Sequence, residues 1–104
     1  MKILIVDDDK DIVQLLEIYV RNEGYEPITA YNGKEALTKL NTNPDIGLVI
    51  LDIMMPEMDG MEVIKQVRKD SSIPILVVSA KTTDMDKIQG LITGADDYVT
   101  KPFN

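Results

Sequence analysis

The chain of 104 residues contains no cysteine and no histidine. The first absence excludes disulfides and thiolate chemistry, because both require a cysteine sulfur. The second removes the imidazole group used in much acid–base catalysis and in the usual zinc sites. The residue types left for chemistry are carboxylates, hydroxyls and amines.

Positive charge is also scarce, since the chain has 11 Lys and Arg residues against 18 Asp and Glu residues and a net charge of −7. That charge argues against binding of nucleic acid or an anionic membrane by this segment itself. No apolar run approaches the ~20 residues of a membrane-spanning helix. Residues 1–7 are too short and too quickly acidic for a signal peptide. We therefore expect a cytoplasmic chain, and its length predicts one compact domain over residues 1–104.

Apolar runs alternate with helical patterns along the chain. Five runs predict strands, at residues 2–6, 26–30, 48–51, 74–78 and 97–100. Four amphipathic stretches between them predict helices, with apolar faces at Ile12, Leu15, Leu16 and Tyr19; Ala36, Leu37 and Leu40; Val63, Ile64 and Val67; and Met85, Ile88 and Ile92. This alternation favours a parallel sheet with right-handed crossovers.

Short polar signals predict where these helices begin and end. Asn32 with Glu35 three residues later forms a capping box, and Asp59 can cap the third helix. Gly24 and Gly94 are placed to end the first and fourth helices. The second strand is more polar than the others, which predicts an edge position.

Reactive side chains stand where the predicted strands end, and a parallel sheet gathers these ends along one rim. The residues concerned are Asp7, Asp8 and Asp9 after the first strand, Asp52 after the third, Ser79 after the fourth and Lys101 after the fifth. Carboxylates crowded in this way usually hold a divalent cation, most often Mg²⁺. The rim thus offers metal ligands, a nucleophile, a cation and a hydroxyl.

Four motifs occur in the order and at the spacing of one known family. They run from Ile5 to Asp9, Leu51 to Gly60, Val77 to Ala80, and Gly94 to Phe103. Together they resemble the receiver domain of bacterial response regulators over residues 1–104, and the last is typical of the winged-helix (OmpR/PhoB-like) branch. The resemblance implies a flavodoxin-like (CheY-like) α/β fold, a doubly wound five-stranded parallel sheet of order 2-1-3-4-5.

The resemblance also implies roles for the acidic residues. Asp52 would be the nucleophile that takes a phosphoryl group and becomes an acyl phosphate. Asp8 and Asp52 would bind Mg²⁺ directly, together with the backbone carbonyl of Met54. Asp7 would act largely through a water molecule on the ion.

Three further residues complete the implied site. Lys101 would pair with the phosphoryl oxygens, Ser79 would hydrogen-bond the phosphoryl group, and Tyr98 would turn inward with Ser79 as a switch. A hydrogen bond to a charged oxygen is worth ~1.5–3 kcal/mol, which is enough to shift a two-state population. In this interpretation the chain is no turnover enzyme, although it catalyses its own phosphorylation and slow dephosphorylation.

Partners are implied by the family and its branch only. The phosphodonor would be a sensor histidine kinase of a two-component system. DNA would be bound only through a winged-helix output domain of the full-length protein. Phosphorylation of the receiver would control that domain and so regulate transcription.

Three other functions compete for the same residues. A haloacid-dehalogenase-like phosphatase needs a second acid two residues after the nucleophile, where Met54 stands. A flavin or nucleotide binder needs a Gly- or Ser/Thr-rich turn after the first strand, where Asp7, Asp8 and Asp9 would repel phosphate. A pseudo-receiver would keep the fold without phosphorylation.

The pattern supplies only four helices for five strands, although a parallel sheet needs cover on both faces. We therefore expect that the last helix of the family fold is missing and that residues 1–104 end after strand five. Apolar sheet exposed in this way would favour self-association or rearrangement. Light scattering tests this expectation, and a clean monomer with a cooperative melt would contradict it.

Overall fold

The computed structural model of the protein describes residues 1–52, 60–79 and 97–100. These residues form five strands, β1 (Lys2–Val6), β2 (Glu26–Ala30), β3 (Ile46–Asp52), β4 (Ile75–Ser79) and β5 (Asp97–Thr100). Three helices accompany them, α1 (Lys10–Asn22), α2 (Gly33–Thr42) and α3 (Gly60–Arg68). The fourth predicted helix, with Met85, Ile88, Ile92 and Gly94, lies outside the described residues.

The strands make one sheet in the order β2-β1-β3-β4-β5, and every neighbouring pair runs parallel. This confirms the predicted order and the edge position of the second strand. β3 begins two residues earlier than predicted, because Ile46 pairs with Lys2 across a register shift. Pro74 stays outside β4, yet its carbonyl accepts the N–H of Val49 at 3.0 Å.

Local signals set the helix ends in the described part of the chain. The side chain of Asp9 accepts the backbone N–H groups of Asp11 and Ile12 and so caps α1. Gly24 follows the end of α1 at φ +87°, a left-handed conformation that glycine adopts without strain. Asn32 caps α2 as predicted, whereas the predicted cap of α3, Asp59, lies outside the described residues.

The buried face of α1 differs from the predicted one. Val13 and Val20 are buried against the sheet and Leu16 packs beside them. Tyr19 remains 44% exposed, although the pattern placed it inside. The helical periodicity of Ile12, Leu15, Leu16 and Tyr19 identifies an apolar stripe, but the contacts of α1 with β1 and β2 decide which edge of that stripe is buried.

Strands β1 and β3 are largely buried on both faces, and their alternate residues serve two core clusters. One contains Leu4, Val6, Val49 and Leu51 and continues into the inner faces of α2 and α3, including Ala36, Val63, Ile64 and Val67. The other lies on the α1 side and contains Ile3, Ile5, Val13, Val20, Ile50 and Val78. The predicted apolar face of α3 is therefore confirmed.

Charged side chains link the starting ends of three strands. Lys2 Nζ lies 2.9 Å from Asp45 Oδ2 and 3.8 Å from Glu26 Oε2. The hydrogen bond with Asp45 raises the pKa of Lys2 above 10.5, and the same bond lowers the pKa of Asp45 below 3.8. The pair is solvent-exposed, so its contribution to stability is small and sensitive to salt.

This pair predicts a small loss of stability in acid and another in alkali. Asp45 contributes to the free energy of unfolding above pH 3.8, and this contribution is lost as pH falls through its lowered pKa. Lys2 contributes below pH 10.5, and its contribution is lost as pH rises through its raised pKa. We expect Lys2→Met to lower the urea midpoint slightly at neutral pH and not in acid. Lys65→Met, on the exposed face of α3, is the control. Urea titrations of both variants at several pH values measure the effect, and an equal loss in acid would contradict the assignment.

In the part of the chain that the structure describes, no helix combines the length and the apolar character that crossing a membrane requires.

Candidate functional site

Strand pairing aligns the last residues of β1 and β2 with Leu51 of β3 at the carboxyl edge of the sheet. Val6 pairs with Ala30 of β2 on one side and with Leu51 of β3 on the other. The residue that follows each of these strand positions therefore lies at the same rim. Two of those residues are Asp7 and Asp52, which places the acids of the first and third strands side by side as predicted.

Asp7 is held in place by contacts on both sides. Its backbone N–H donates to the carbonyl of Ala30 at 3.1 Å, and its Oδ1 accepts the N–H of Asp9 at 2.9 Å. The side chain is fully buried. A buried carboxylate needs charged or hydrogen-bonding partners, because loss of water around it is unfavourable. Burial and these hydrogen bonds thus fix the position of Asp7 in the site.

Asp9 has a different role from its two neighbours. Its Oδ1 accepts the N–H of Asp11 at 2.9 Å and that of Ile12 at 3.5 Å, so its side chain is directed to the start of α1. Helix capping therefore explains Asp9 alone. Asp7 and Asp8 remain available to the rim.

Asp7, Asp8 and Asp52 form one carboxylate cluster. One oxygen from each lies within 4.8 Å of the others. Asp8 is exposed, whereas Asp7 and Asp52 are the buried charged side chains among the described residues, with Asp52 only 3% exposed at the end of β3. The cluster therefore has two inner oxygens and one that faces solvent.

The donor set of this cluster fits a hard divalent cation. Two ionised carboxylates whose oxygens lie within 4.8 Å repel each other by roughly 3.5 kcal/mol or more at an effective dielectric constant of 20. A divalent cation between them converts that repulsion into attraction. Oxygen ligands from one or two carboxylates, with open positions left for other oxygens, are the environment that Mg²⁺ prefers.

The remaining predicted site residues fall partly outside the described chain. Met54 and Lys101 lie outside it. The backbone of Ser79 pairs with Thr100, and that of Tyr98 pairs with Val77. Asp52 pairs with Val78, the residue before Ser79. The sheet thus brings the backbone of Ser79 to the same rim as Asp52, next to the strand that leads into Lys101.

One residue of the site was not predicted from the sequence. Ala30 accepts the Asp7 N–H and ties the end of β2 to the acidic cluster. Its contribution is a backbone carbonyl, which every residue type possesses. Only the register of β1 against β2 places it there, so no side-chain pattern could have identified it.

A cavity of about 280 Å³ lies at the other end of the sheet, between α2 and α3. Its apolar lining is formed by Leu37, Leu40, Ile46, Val67 and Ile73. Ile46 begins β3 and Ile73 precedes β4, whereas the acidic cluster stands where strands end. The cavity is therefore separate from the candidate site.

The fold and the site together define a CheY-like α/β protein with a carboxylate cluster at the carboxyl edge of its sheet. The response regulator receiver domain family matches residues 3–104. The chain belongs to this family and is a receiver domain of a two-component response regulator. The predicted family is thereby confirmed.

Solved structures agree with this assignment. The receiver domain of the Francisella response regulator 1452 is 40% identical with a TM-score of 0.87; the match covers 99% of this chain and 85% of that one. Response regulator TrrA from Thermotoga maritima, solved in complex with Mg²⁺-BeF, is 40% identical with a TM-score of 0.87, over 99% and 88% of the two chains. The chemotaxis protein CheY4 of Vibrio cholerae is 38% identical with a TM-score of 0.88 and the same coverage.

Proposed function

We propose that this receiver domain is a Mg²⁺-dependent phosphoryl acceptor with Asp52 as its phosphorylation site. The observation that carries the proposal is the cluster of Asp7, Asp8 and Asp52 within 4.8 Å at the carboxyl edge of the sheet. Asp52 is the member that ends the central strand β3; it pairs with Val78 of β4, and Leu51 before it pairs with Val6 of β1. A carboxylate held in this way is a competent covalent nucleophile.

The phosphoryl step uses one oxygen of Asp52. That oxygen attacks the phosphorus of the donor, a new P–O bond forms, and the bond from phosphorus to the donor breaks with its electron pair leaving on the donor. The product is an acyl phosphate that carries about −1.5 to −2 charges. Phosphoryl transfer depends on alignment and charge neutralisation more than on covalent assistance.

Asp7 and Asp8 would hold the cation together with Asp52. Bound Mg²⁺ supplies positive charge that neutralises the carboxylates and the incoming phosphoryl oxygens. The carbonyl of Ala30 holds the backbone of Asp7, and the N–H of Asp9 orients its carboxylate through Oδ1. Asp8 is exposed and can adjust to the ion. Met54 would add its backbone carbonyl.

Lys101, Ser79 and Tyr98 would complete the switch. Lys101 follows β5 and would neutralise phosphoryl oxygens, while Ser79 would donate its hydroxyl to one of them. This bond would draw Ser79 inward, and Tyr98 would move with it. The backbone pairing of β4 and β5 supports the proposal because it places both segments at neighbouring positions of the sheet.

The wider role would depend on the family branch. The last motif, Gly94 to Phe103, supports an OmpR/PhoB-like regulator, which would be cytoplasmic and would take its phosphoryl group from a sensor histidine kinase. Phosphorylation would control a DNA-binding domain elsewhere in the full-length protein, and hence transcription. The receiver itself would turn over no external substrate. It would promote only its own phosphorylation and slow dephosphorylation.

The test measures the intact mass of the protein after treatment with acetyl phosphate, with and without Mg²⁺. We expect one added phosphoryl group that requires Mg²⁺. Asp8→Asn should lower the Mg²⁺ affinity at least about tenfold, because affinity follows the number of charged ligands. Calorimetric Mg²⁺ titration measures this loss, and Asp11→Asn, another exposed aspartate in the same segment, is the control.

Two outcomes would contradict the proposal. A folded chain that gains no phosphoryl group would be a pseudo-receiver. Equal Mg²⁺ affinities for Asp8→Asn and Asp11→Asn would show that the cluster is not the binding site. Circular dichroism on each sample distinguishes lost chemistry from lost fold.

A further inference from the structure

Asn32 and Gly33 stand at the junction between β2 and α2. An asparagine followed by glycine is the dipeptide most prone to deamidation, because glycine has no side chain to hinder attack by its own backbone nitrogen. Gly33 is the first residue of α2, and the first N–H groups of a helix have no partner within the helix ladder. The backbone nitrogen of Gly33, which would make the attack, is therefore not engaged in the hydrogen-bond ladder of α2.

The side chain of Asn32 is held by two reciprocal contacts with Glu35. Its Oδ1 accepts the Glu35 N–H at 2.9 Å, and its Nδ2 donates to Glu35 Oε2 at 2.9 Å. The Asn32 carbonyl also accepts the N–H of Ala36 at 3.1 Å. Both polar atoms of the Asn32 side-chain amide are thus engaged with Glu35.

We propose that Asn32 is a modification site, and that opening of its cap with Glu35 sets the rate of its deamidation. When the cap opens, the backbone nitrogen of Gly33 loses its proton and bonds to the Asn32 side-chain carbon. Ammonia leaves with the electron pair of the broken C–N bond, and a succinimide ring forms. Water then opens either carbonyl of the ring, giving an aspartate or a β-linked isoaspartate.

The two products differ in their effect on the junction. Each replaces a neutral amide by a carboxylate and changes the net charge from −7 to about −8. Aspartate caps a helix as well as asparagine does, so that product preserves α2. Isoaspartate adds a methylene to the main chain between Ala30 and α2. It therefore alters the segment that follows the carbonyl holding Asp7.

The test is incubation of the protein at mildly alkaline pH, followed by peptide mapping for aspartate and isoaspartate. Glu35→Ala removes the charged acceptor of Asn32 Nδ2 and keeps the backbone N–H that Oδ1 accepts. We expect slow conversion of Asn32 in the native protein and about tenfold faster conversion in Glu35→Ala, which corresponds to ~1.4 kcal/mol in the opening equilibrium. Glu35→Gln keeps an acceptor for Asn32 Nδ2 and should stay near the native rate. Asn22, Asn41 and Asn43, which precede Glu23, Thr42 and Pro44, are internal controls in the same sample.

Leu4→Ala separates local opening from global unfolding, because it weakens the core and leaves the cap unchanged. A larger acceleration in Glu35→Ala than in a Leu4→Ala protein of equal or lower stability supports the proposal. It is overturned if folded Glu35→Ala converts Asn32 no faster than the native protein. Native conversion as fast as in urea would overturn it as well. None of these readouts depends on phosphorylation.

Discussion

Asp52→Asn is expected to abolish phosphorylation by acetyl phosphate, leaving the intact mass unchanged where the native protein gains one phosphoryl group. The substitution is nearly isosteric, but a neutral amide oxygen is a far weaker nucleophile than a carboxylate and would not give a stable acyl phosphate. It also removes one charged oxygen from the cluster with Asp7 and Asp8, so Mg²⁺ affinity should fall at the same time.

The chain contains a matched control for this variant. Asp45 and Asp52 flank β3, one before its first residue and one at its last. Asp45 is exposed and pairs with Lys2, whereas Asp52 is buried at the carboxyl edge. Asp45→Asn should therefore be phosphorylated at the native rate. Phosphoryl addition to Asp52→Asn at the native level would mean that another residue is the acceptor, and it would contradict the assignment of Asp52 as the phosphorylation site.

Leu4→Ala should cost about 2–5 kcal/mol of unfolding free energy. Leu4 is fully buried in the centre of β1, which pairs with β2 on one side and β3 on the other. Removal of its side chain leaves a space that neighbouring strands cannot fill without disturbing two pairings. Since domains of this size have only about 5–15 kcal/mol of stability, the variant should lose a large share of it.

Urea denaturation followed by circular dichroism measures this loss. Ile18→Ala is the control, because Ile18 is 57% exposed on α1 and should change stability by less than about 0.5 kcal/mol. A loss for Ile18→Ala as large as that for Leu4→Ala would mean that the outer side of α1 is covered in solution. That result would favour the predicted self-association over an isolated chain.

Much of this fold could be predicted from periodicity, because its parallel strands are short continuous apolar runs separated by amphipathic helices. The bounds of β1, β2 and β5 follow the apolar runs. β3 was predicted too short, since Gly47 interrupts its apolar pattern while pairing with β1 still recruits Ile46. The buried face of α1 was predicted incorrectly, because an apolar stripe does not reveal which of its edges contacts the sheet.

The candidate site could be predicted to the level of its residues but not of their separate roles. Adjacent aspartates 7, 8 and 9 are chemically identical, so no pattern distinguishes a cap from a ligand. The structure separates them by direction and burial: Asp9 bonds to the start of α1, Asp7 is buried between Ala30 and Asp9, and Asp8 faces solvent. The catalytic, metal-binding and switch roles of all the site residues stay predictions, and Lys101 and Met54 lie outside the described residues.

The sequence by itself determined the order of strands and helices, the capping of α2 by Asn32, and the residue types that stand at the strand ends. These features depend on neighbours within a few positions, which a linear pattern records. Tertiary structure alone decided that Asp7, Asp8 and Asp52 share a space within 4.8 Å, and that a carbonyl of β2 steadies one of them. Both depend on register between strands distant in the chain, and register is set by packing of the whole core.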